Sequence, residues 1–357
     1  MFRSHTAQHD SVLCQHPGTL VLKSNVFGAA QTFNRLRSKL NTGAVHAGAR
    51  QPFKFLLCGD PSMVAAFRSL LLEGTGNDTV PLDAAAALET ITPGSQPVDL
   101  TDARAVLFFG TPSDRAGAPV DALTALKLPV FAVLVDAAAT VTSGPPQAPA
   151  AGAIEDYTVP AIEFEYLRTR LLPHLIDVCK NVEIAVGRRL PILRTTVAAK
   201  LTRDAALNAL KVSGASAVID NVPLVGAFLG AFVSAGDMMA ITGIQMMLML
   251  QIRATFGKDP DVAQMWELLP IVGGGFGWRA LARELSGFIP VGGIFIKSAI
   301  AYAGTVVVGE GATFFELHGR HMATVDAAKI YDDARASAQT FAREMLNRIR
   351  GNGPPPA

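Results

Sequence analysis

The chain has 357 residues, and its 31 lysines and arginines against 30 aspartates and glutamates give a net charge of +1. This near-neutral balance argues against nucleic-acid binders, which usually carry a strong basic excess. Half of the residues are hydrophobic and 17% are charged, below the roughly 25% that is usual in soluble domains. The three cysteines are odd in number and far apart, which argues for a reducing compartment without a disulfide framework.

Residues 1–50 are predicted to form a disordered N-terminal segment that contains one short helix. Between Ser24 and Leu40, apolar residues recur at spacings of three and four, with basic residues among them. This pattern predicts a basic amphipathic helix, which either docks on the next domain or touches an anionic surface.

Residues 51–180 show the alternation of strands and helices that is typical of a parallel α/β domain. Continuous apolar runs bounded by turn residues predict buried strands at 53–58, 103–109 and 129–135. A fourth strand is predicted near Tyr157 to Pro160, followed by a helix from about Glu163 to Val182.

The turn after the first strand occupies the position of a phosphate-binding loop, whose pattern is G-x-x-x-x-G-K-[ST]. Gly59 supplies the first glycine, but Val64, Ala65 and Ala66 stand where the second glycine, the lysine and the hydroxyl residue belong. These residues lack the cation that reaches the phosphates and the ligand of magnesium. We therefore expect a small P-loop-like domain that binds no nucleotide, metal or other cofactor. Because any α/β domain begins with a strand, a glycine turn and a helix, Gly59 alone does not establish a GTPase ancestry.

A basic cluster precedes the first long apolar segment and consists of Arg188, Arg189, Arg194, Lys200 and Arg203. Such a cluster is typical of the cytoplasmic side of a membrane segment, where it attracts anionic headgroups. The alternative is a solvated helix face or a docking surface for the α/β domain. Pro191, within the cluster, predicts that a helix is kinked or restarts there.

Residues 221–315 contain two apolar segments that approach the roughly 20 residues needed to span a hydrocarbon core. Gly226, Gly230 and Ser234 recur every four residues in the first segment, and Gly304 lies in the second. Small residues of this kind let apolar helices approach closely. We therefore predict tight helix–helix contacts, within one chain or between copies.

The two apolar segments each contain a single charged side chain, Asp237 in the first and Lys297 in the second. A charge inside an apolar bundle needs a partner or a water-filled cavity. We predict that these two side chains pair, or that Asp237 pairs with Arg253 or Arg279, with Gln245 extending the polar line. The line is either an ion or proton path or a buried pair that fixes the helix register.

Several short motifs lie between Leu190 and Phe315, among them Glu267-Leu268-Leu269-Pro270, Gly277-Trp278-Arg279 and Ala301-Tyr302-Ala303-Gly304-Thr305-x-x-x-Gly309. With these motifs the stretch resembles the helical domain of unknown function that follows GTPase domains in many bacterial proteins. YcjF-type membrane proteins share this domain. The resemblance implies a membrane-associated helical module coupled to a GTPase-like domain, and it carries over no reaction.

The predicted fold is thus α/β plus all-α, with the α/β domain at 51–180, an apolar, membrane-associated helical domain at 181–320, and an amphipathic helix and tail at 321–357. The expected function is that of a scaffold or interaction protein, a pseudo-GTPase without catalysis, on the cytoplasmic side of the inner membrane. Its expected partners are membrane lipid and either further copies of the chain or another protein, but not nucleic acid. The alternatives are a soluble helical scaffold and a GTP-binding protein with an atypical phosphate loop.

Overall fold

The computed structural model describes residues 40–73, 80–92, 99–117, 119–139, 151–214, 237–262 and 293–349. The chain divides into two compact units, residues 1–40 and 41–357, and every element named below belongs to the second. The strands are β1 (Lys54–Gly59), β2 (Leu88–Thr90), β3 (Ala103–Gly110), β4 (Val130–Val135) and β5 (Ile154–Val159).

The helices accompany the strands in the first part of the chain and replace them in the second. The first group comprises α1 (Thr42–Arg50), α2 (Pro61–Leu71), α3 (Pro112–Gly117), α4 (Phe164–Leu167), α5 (Leu171–Asp177) and α6 (Glu183–Arg189). The second group comprises α7 (Arg194–Gly214), α8 (Asp237–Thr255), α9 (Gly293–His318) and α10 (Thr324–Ile349). Short 3-10 helices lie at Ala84–Ala87, Pro119–Leu126 and Pro191–Leu193.

The five strands form one parallel sheet in the order β2-β1-β3-β4-β5. In its central register, Leu107 lies between Leu57 of β1 and Phe131 of β4. The predicted parallel α/β architecture is confirmed. Strand β2 is not predicted from the sequence, because a strand of three residues is too short to produce an apolar run.

Both faces of the sheet are covered, because successive side chains of each strand point to opposite sides. One face packs under α2, α5 and α6 and includes Phe55, Leu57, Leu107, Phe109 and Phe131. The other face packs under the 3-10 helix at Pro119–Leu126 and includes Leu56, Cys58, Val106, Phe108 and Ala132.

The helical part of the chain shares a core with the sheet. The core beneath the first face continues through Val186 of α6 and Leu193 to Val197 of α7. The domain boundary predicted between residues 180 and 181 therefore falls inside a continuous core. The restart predicted at Pro191 is present, because α6 ends at Arg189 and α7 begins at Arg194.

Helices α7, α8 and α9 pack against one another, and α10 packs on α9. Two pairs of helices, α7 with α9 and α6 with α8, approach closely where a glycine faces a threonine. A Cβ atom at Gly309 of α9 would lie 2.2 Å from Thr202 Oγ1 of α7, and one at Gly187 of α6 would lie 2.3 Å from Thr255 Cγ2 of α8. Of the predicted packing residues, Gly304 is buried in α9, while three lie outside the described residues: Gly226, Gly230 and Ser234.

The two ends of the described chain are helical. Asn41 caps α1 by accepting a hydrogen bond from Ala44 N at 3.0 Å, and Val45 and Ala49 are buried. Residues 42–50, which fall in the segment predicted to be disordered, are therefore helical, and the prediction is wrong for them. The helix predicted at 24–40 lies outside the described residues apart from Leu40. The predicted C-terminal amphipathic helix is present as α10, where Tyr331 and Ala334 pack against Ala303 of α9.

Within the described ranges, no helix combines the length and the apolar character that a membrane crossing requires.

Candidate ligand crevice at the carboxyl edge of the sheet

The order of the strands points to one place for a ligand. Chain connections leave β1 and β3 in opposite directions across the sheet, since β2 lies beyond β1 and β4 lies beyond β3. In open α/β sheets, ligands bind outside the carboxyl ends of the strands at such a switch point. The residues at this position are Gly59 and Asp60 after β1, and Gly110 and Thr111 after β3.

Gly59 is explained by the contact between two strands. Its φ of +109° lies in the region that favours glycine, and a Cβ atom there would lie 2.0 Å from the carbonyl oxygen of Phe109. The next backbone nitrogen, that of Asp60, donates to the same oxygen at 2.8 Å. The glycine therefore has a structural reason that involves no phosphate.

A single residue, Asp60, connects β1 to α2 and closes the end of the helix. Its carboxylate accepts hydrogen bonds from Ser62 N at 2.9 Å and Met63 N at 3.0 Å, and its carbonyl accepts one from Val64 N at 2.9 Å. Pro61 has no N–H to offer. The amides that an anion binds at a helix N-terminus are thus already occupied. The Ser62 hydroxyl and the Met63 amide hold the pKa of Asp60 below its usual value, which keeps a negative charge at this end of α2.

The residues that stand in the place of a phosphate-loop signature lie within α2. Val64 is buried in the core beneath the sheet, whereas Ala65 and Ala66 are exposed on the helix. A phosphate loop needs a longer connection whose backbone curves around the anion. This connection therefore lacks the backbone of a phosphate loop as well as its side chains.

The turn after β3 is closed in the same way. Thr111 N donates to Asp114 Oδ2 at 2.7 Å, and Asp114 N donates to Thr111 Oγ1 at 3.3 Å, which is a capping box at the start of α3. After β4, Asp136 accepts a hydrogen bond from Ala138 N at 3.0 Å. The polar side chains of this edge therefore hold turns of their own chain. Among the described residues, no three potential metal ligands come together.

Arg194, predicted to lie on a membrane surface, is buried, with 5% of the residue exposed. Its guanidinium lies 5.8 Å from the centre of the Phe256 ring, and its Nε donates to Gly187 O at 3.3 Å. The prediction of a surface position is wrong for this residue, because its guanidinium packs where α6, α7 and the end of α8 meet.

Carboxylates of the same chain contact three of the other basic residues. The pairs are Lys200–Asp204 at 2.6 Å, Arg203–Asp177 at 2.7 Å and Arg189–Asp83 at 3.0 Å. Arg188 is half-buried near the end of α6. These pairs leave less positive charge for an anionic surface than the sequence indicates.

The predicted polar line is present in part. Gln245 of α8 is buried, and its Nε2 donates to Thr305 Oγ1 of α9 at 3.3 Å. The side chains of Asp237 and Lys297 lie outside the described residues, as does Arg279. The alternative pairing of Asp237 with Arg253 is wrong, because the two residues stand near opposite ends of α8, about 24 Å apart along its axis.

A buried ion cluster that the sequence analysis missed joins the ends of α8 and α9. The side chain of Glu316 is 0% exposed, and its carboxylate lies 3.3 Å from Arg253 Nη1 and 2.6 Å from Lys258 Nζ. We call these three residues the Glu316 cluster. The signal in the sequence was Glu316 itself, a carboxylate that follows an apolar helical run.

A second missed cluster lies beneath β5. The Tyr157 hydroxyl is hydrogen-bonded to Nδ1 of His174, which is fully buried on α5. The Glu155 carboxylate lies 3.8 Å from the same Nδ1 and 3.0 Å from Arg170 Nη2. Burial is the largest cause of the lowered pKa of His174 and of the raised pKa of Tyr157, and both side chains are therefore neutral at neutral pH.

Comparison of the chain with protein-family models, with curated proteins and with solved structures gives no match. The resemblance to YcjF-type proteins stays a prediction from the motifs.

Proposed function

We propose that the protein is a non-catalytic scaffold or interaction protein, a pseudo-GTPase whose α/β domain keeps the topology of a nucleotide-binding domain without its phosphate site. The observation that carries this proposal is the capped N-terminus of α2, where Asp60 binds the amides of Ser62 and Met63. A phosphate at this position would have to displace the carboxylate and would meet its negative charge. Ala65 and Ala66 provide neither a cation nor a metal ligand in return.

Calorimetric titration of the full chain with magnesium GTP and magnesium ATP tests this part of the proposal. We expect no binding heat with either nucleotide. Micromolar affinity for GTP would instead favour the alternative of a GTP-binding protein with an atypical loop. The Asp60→Asn variant keeps the capping acceptor but removes its charge. Its titration shows whether charge repulsion alone prevents nucleotide binding.

The helical part is proposed to associate with membrane lipid on the cytoplasmic side of the inner membrane, and with further copies of the chain or another protein. Support comes from the apolar segments within 221–315, from their small residues and from the family resemblance. Membrane fractionation followed by a carbonate wash tests it. Retention of the chain in the washed membranes is expected, and its recovery in the supernatant would contradict lipid association.

A soluble helical scaffold is the second candidate, and the state of the basic residues favours it. Arg194 is buried, and Lys200 and Arg203 contact carboxylates, so that little of the predicted cluster faces outward as free charge. The core that links the sheet to α7 is also that of an ordinary globular interior. Purification with and without detergent, with the mass measured in each, separates the two candidates. A single defined particle without detergent would favour this one.

A further inference from the structure

A pocket of about 340 Å³ lies at the amino edge of the sheet, opposite the crevice described above. Its walls come from the amino ends of strands and the segments before them. The lining residues are Phe53 and Lys54 at β1, Ala86 and Ala87 before β2, and Asp99, Thr101 and Asp102 before β3. Arg189, at the end of α6, completes the wall. The volume falls within the range of small-ligand sites, roughly 300–1,000 Å³.

One side of this pocket is apolar. Pro52, Phe53, Ala86 and Ala87 line it, and Phe53 and Ala87 belong to the core beneath the sheet. Pro52 and Ala86 are exposed here, whereas Phe53 and Ala87 are almost fully buried. The apolar area open to a ligand therefore comes from Pro52 and Ala86, and it favours a ligand with a hydrocarbon portion.

The charges around the pocket are predominantly negative. Lys54 Nζ lies 2.8 Å from the carboxylates of both Glu89 and Asp99. The carboxylate of Asp83 lies 3.0 Å from Arg189 Nε. Both cations of the wall are therefore already bound to carboxylates, which leaves no free positive group here for an anion.

Asp102 adds a further carboxylate to the wall. Its φ of +61° is left-handed, a conformation that aspartate and asparagine adopt more readily than most residues. Its carbonyl accepts a hydrogen bond from Lys54 N at 2.9 Å, which fixes the backbone at the mouth of β1. Among the described residues, Asp102 has no ion-pair partner.

The chain itself shows that these walls accommodate an organic cation. The guanidinium of Arg189 lies 5.3 Å from the centre of the Phe53 ring while it contacts Asp83. This arrangement combines a cation–π contact with a carboxylate, the two interactions that recognise guanidinium and ammonium ligands. The carboxylate of Asp102 lines the same pocket.

We propose that this pocket binds a small organic cation, an ammonium or guanidinium group on a short apolar stem. The charged group contacts Asp102, and the stem lies against Pro52 and Ala86. This site is separate from the lipid association proposed above, and it stands or falls independently of it.

Calorimetric titration of the full chain with agmatine, which carries both cationic groups on a four-carbon stem, tests the proposal. We expect a dissociation constant of about 1 mM or tighter, as a ligand of this size allows. Asp102→Asn should weaken binding about tenfold through the loss of a charge-assisted contact. Since asparagine tolerates the left-handed backbone, the variant is expected to keep its fold, which its thermal midpoint verifies. Asp333→Asn, the same charge change on an exposed turn of α10, serves as the control and should leave binding unchanged.

A second variant, Ala86→Leu, fills the pocket without changing its charge and should abolish agmatine binding. Inorganic phosphate is the opposite probe, and no binding is expected. The proposal is overturned if agmatine gives no heat, if it binds Asp102→Asn and Ala86→Leu as well as it binds the parent protein, or if phosphate binds and agmatine does not compete with it.

Discussion

The carboxylate of Asp60 lies 2.9 Å from the backbone nitrogen of Ser62, at the point where a nucleotide-binding domain would hold a phosphate. The same oxygen also accepts from Met63 N. This cap satisfies two of the amide groups that every helix leaves without an internal partner. The residue that blocks the phosphate position therefore also stabilises the helix behind it.

Replacing Asp60 by alanine should lower the free energy of unfolding by about 1 kcal/mol, because the first-turn amides lose their acceptor. Urea denaturation of the two proteins measures the difference. Ser69→Ala, on an exposed position of the same helix, is the control and should change stability little. A variant as stable as the parent protein would show that the cap is energetically unimportant.

The sheet could be predicted from the sequence because buried parallel strands read as apolar runs. The reason for Gly59 could not, because the atom that excludes a side chain is the carbonyl oxygen of Phe109, in a strand fifty residues further on. The same limit applies to Arg194, which lies in a basic stretch but packs against Phe256. Composition identifies such a stretch, whereas long-range packing decides which of its residues are buried.

The polar contacts between the helices could not be predicted from the sequence, for a related reason. Asp237 and Lys297 stand out in the sequence because each is isolated in an apolar segment. Glu316 lies near the end of α9, where charged residues are common, and only the fold shows that its side chain is fully buried. Periodicity predicts helices, but it does not predict the rotation that brings a given side chain into an interface.

Gly309→Ala should destabilise the protein by about 1–3 kcal/mol, because the new methyl group would lie 2.2 Å from Thr202 Oγ1 and force α7 and α9 apart. Thr202→Ala in the same chain should restore part of the loss by removing that oxygen. Thermal and urea unfolding measure both variants. Gly43→Ala, in α1 with no contact closer than 3.5 Å, is the matched control and should not destabilise. Equal losses at Gly43 and Gly309 would contradict the close crossing.

Glu316→Gln should destabilise the protein by about 3 kcal/mol, because it removes a buried negative charge that lies 3.3 Å from the buried Arg253 guanidinium. Lys258→Met should cost less than about 1 kcal/mol, since the Lys258 side chain is 48% exposed and its ion pair is screened by water. Urea denaturation provides both values. The inverse ranking, with Lys258→Met the more damaging, would mean that Lys258 rather than Arg253 holds the cluster together.

The contacts between α8 and α9 also bear on the predicted pair of Asp237 and Lys297. Gln245 of α8 contacts Thr305 of α9, and further along both helices Arg253 contacts Glu316. The two helices therefore run in the same direction. Eight residues before Gln245 and Thr305 stand Asp237 and Lys297, at matching levels of the two helices.

If Asp237 and Lys297 pair, neutralising both should be much milder than neutralising either. We expect Asp237→Asn and Lys297→Met each to destabilise by about 3 kcal/mol, and the double variant by clearly less than their sum. A double-mutant cycle from denaturant unfolding measures this coupling. Additive losses would refute the pairing and leave the ion-path interpretation without its central pair.

Because His174 is buried, we expect the protein to lose stability in mild acid. Its lowered pKa in the folded state, below the usual 6.5, arises mainly from burial, and Glu155 and Asp177 oppose this effect while Arg170 and Arg203 add to it. The unfolded chain therefore binds a proton at a higher pH than the folded protein. It follows that the contribution of His174 to the free energy of unfolding is fully present above about pH 6.5 and is lost as the pH falls through the folded-state pKa.

The His174→Gln variant should consequently show a weaker fall in unfolding free energy than the parent protein between about pH 7.5 and about pH 5.5. The quantity to compare is the difference between these two pH values in each protein, because the variant also loses the hydrogen bond with Tyr157 and is less stable throughout. His318→Gln, at an exposed position near the end of α9, controls for the removal of any histidine. Parallel pH profiles for the parent protein and His174→Gln would show that this buried imidazole does not cause the acid sensitivity.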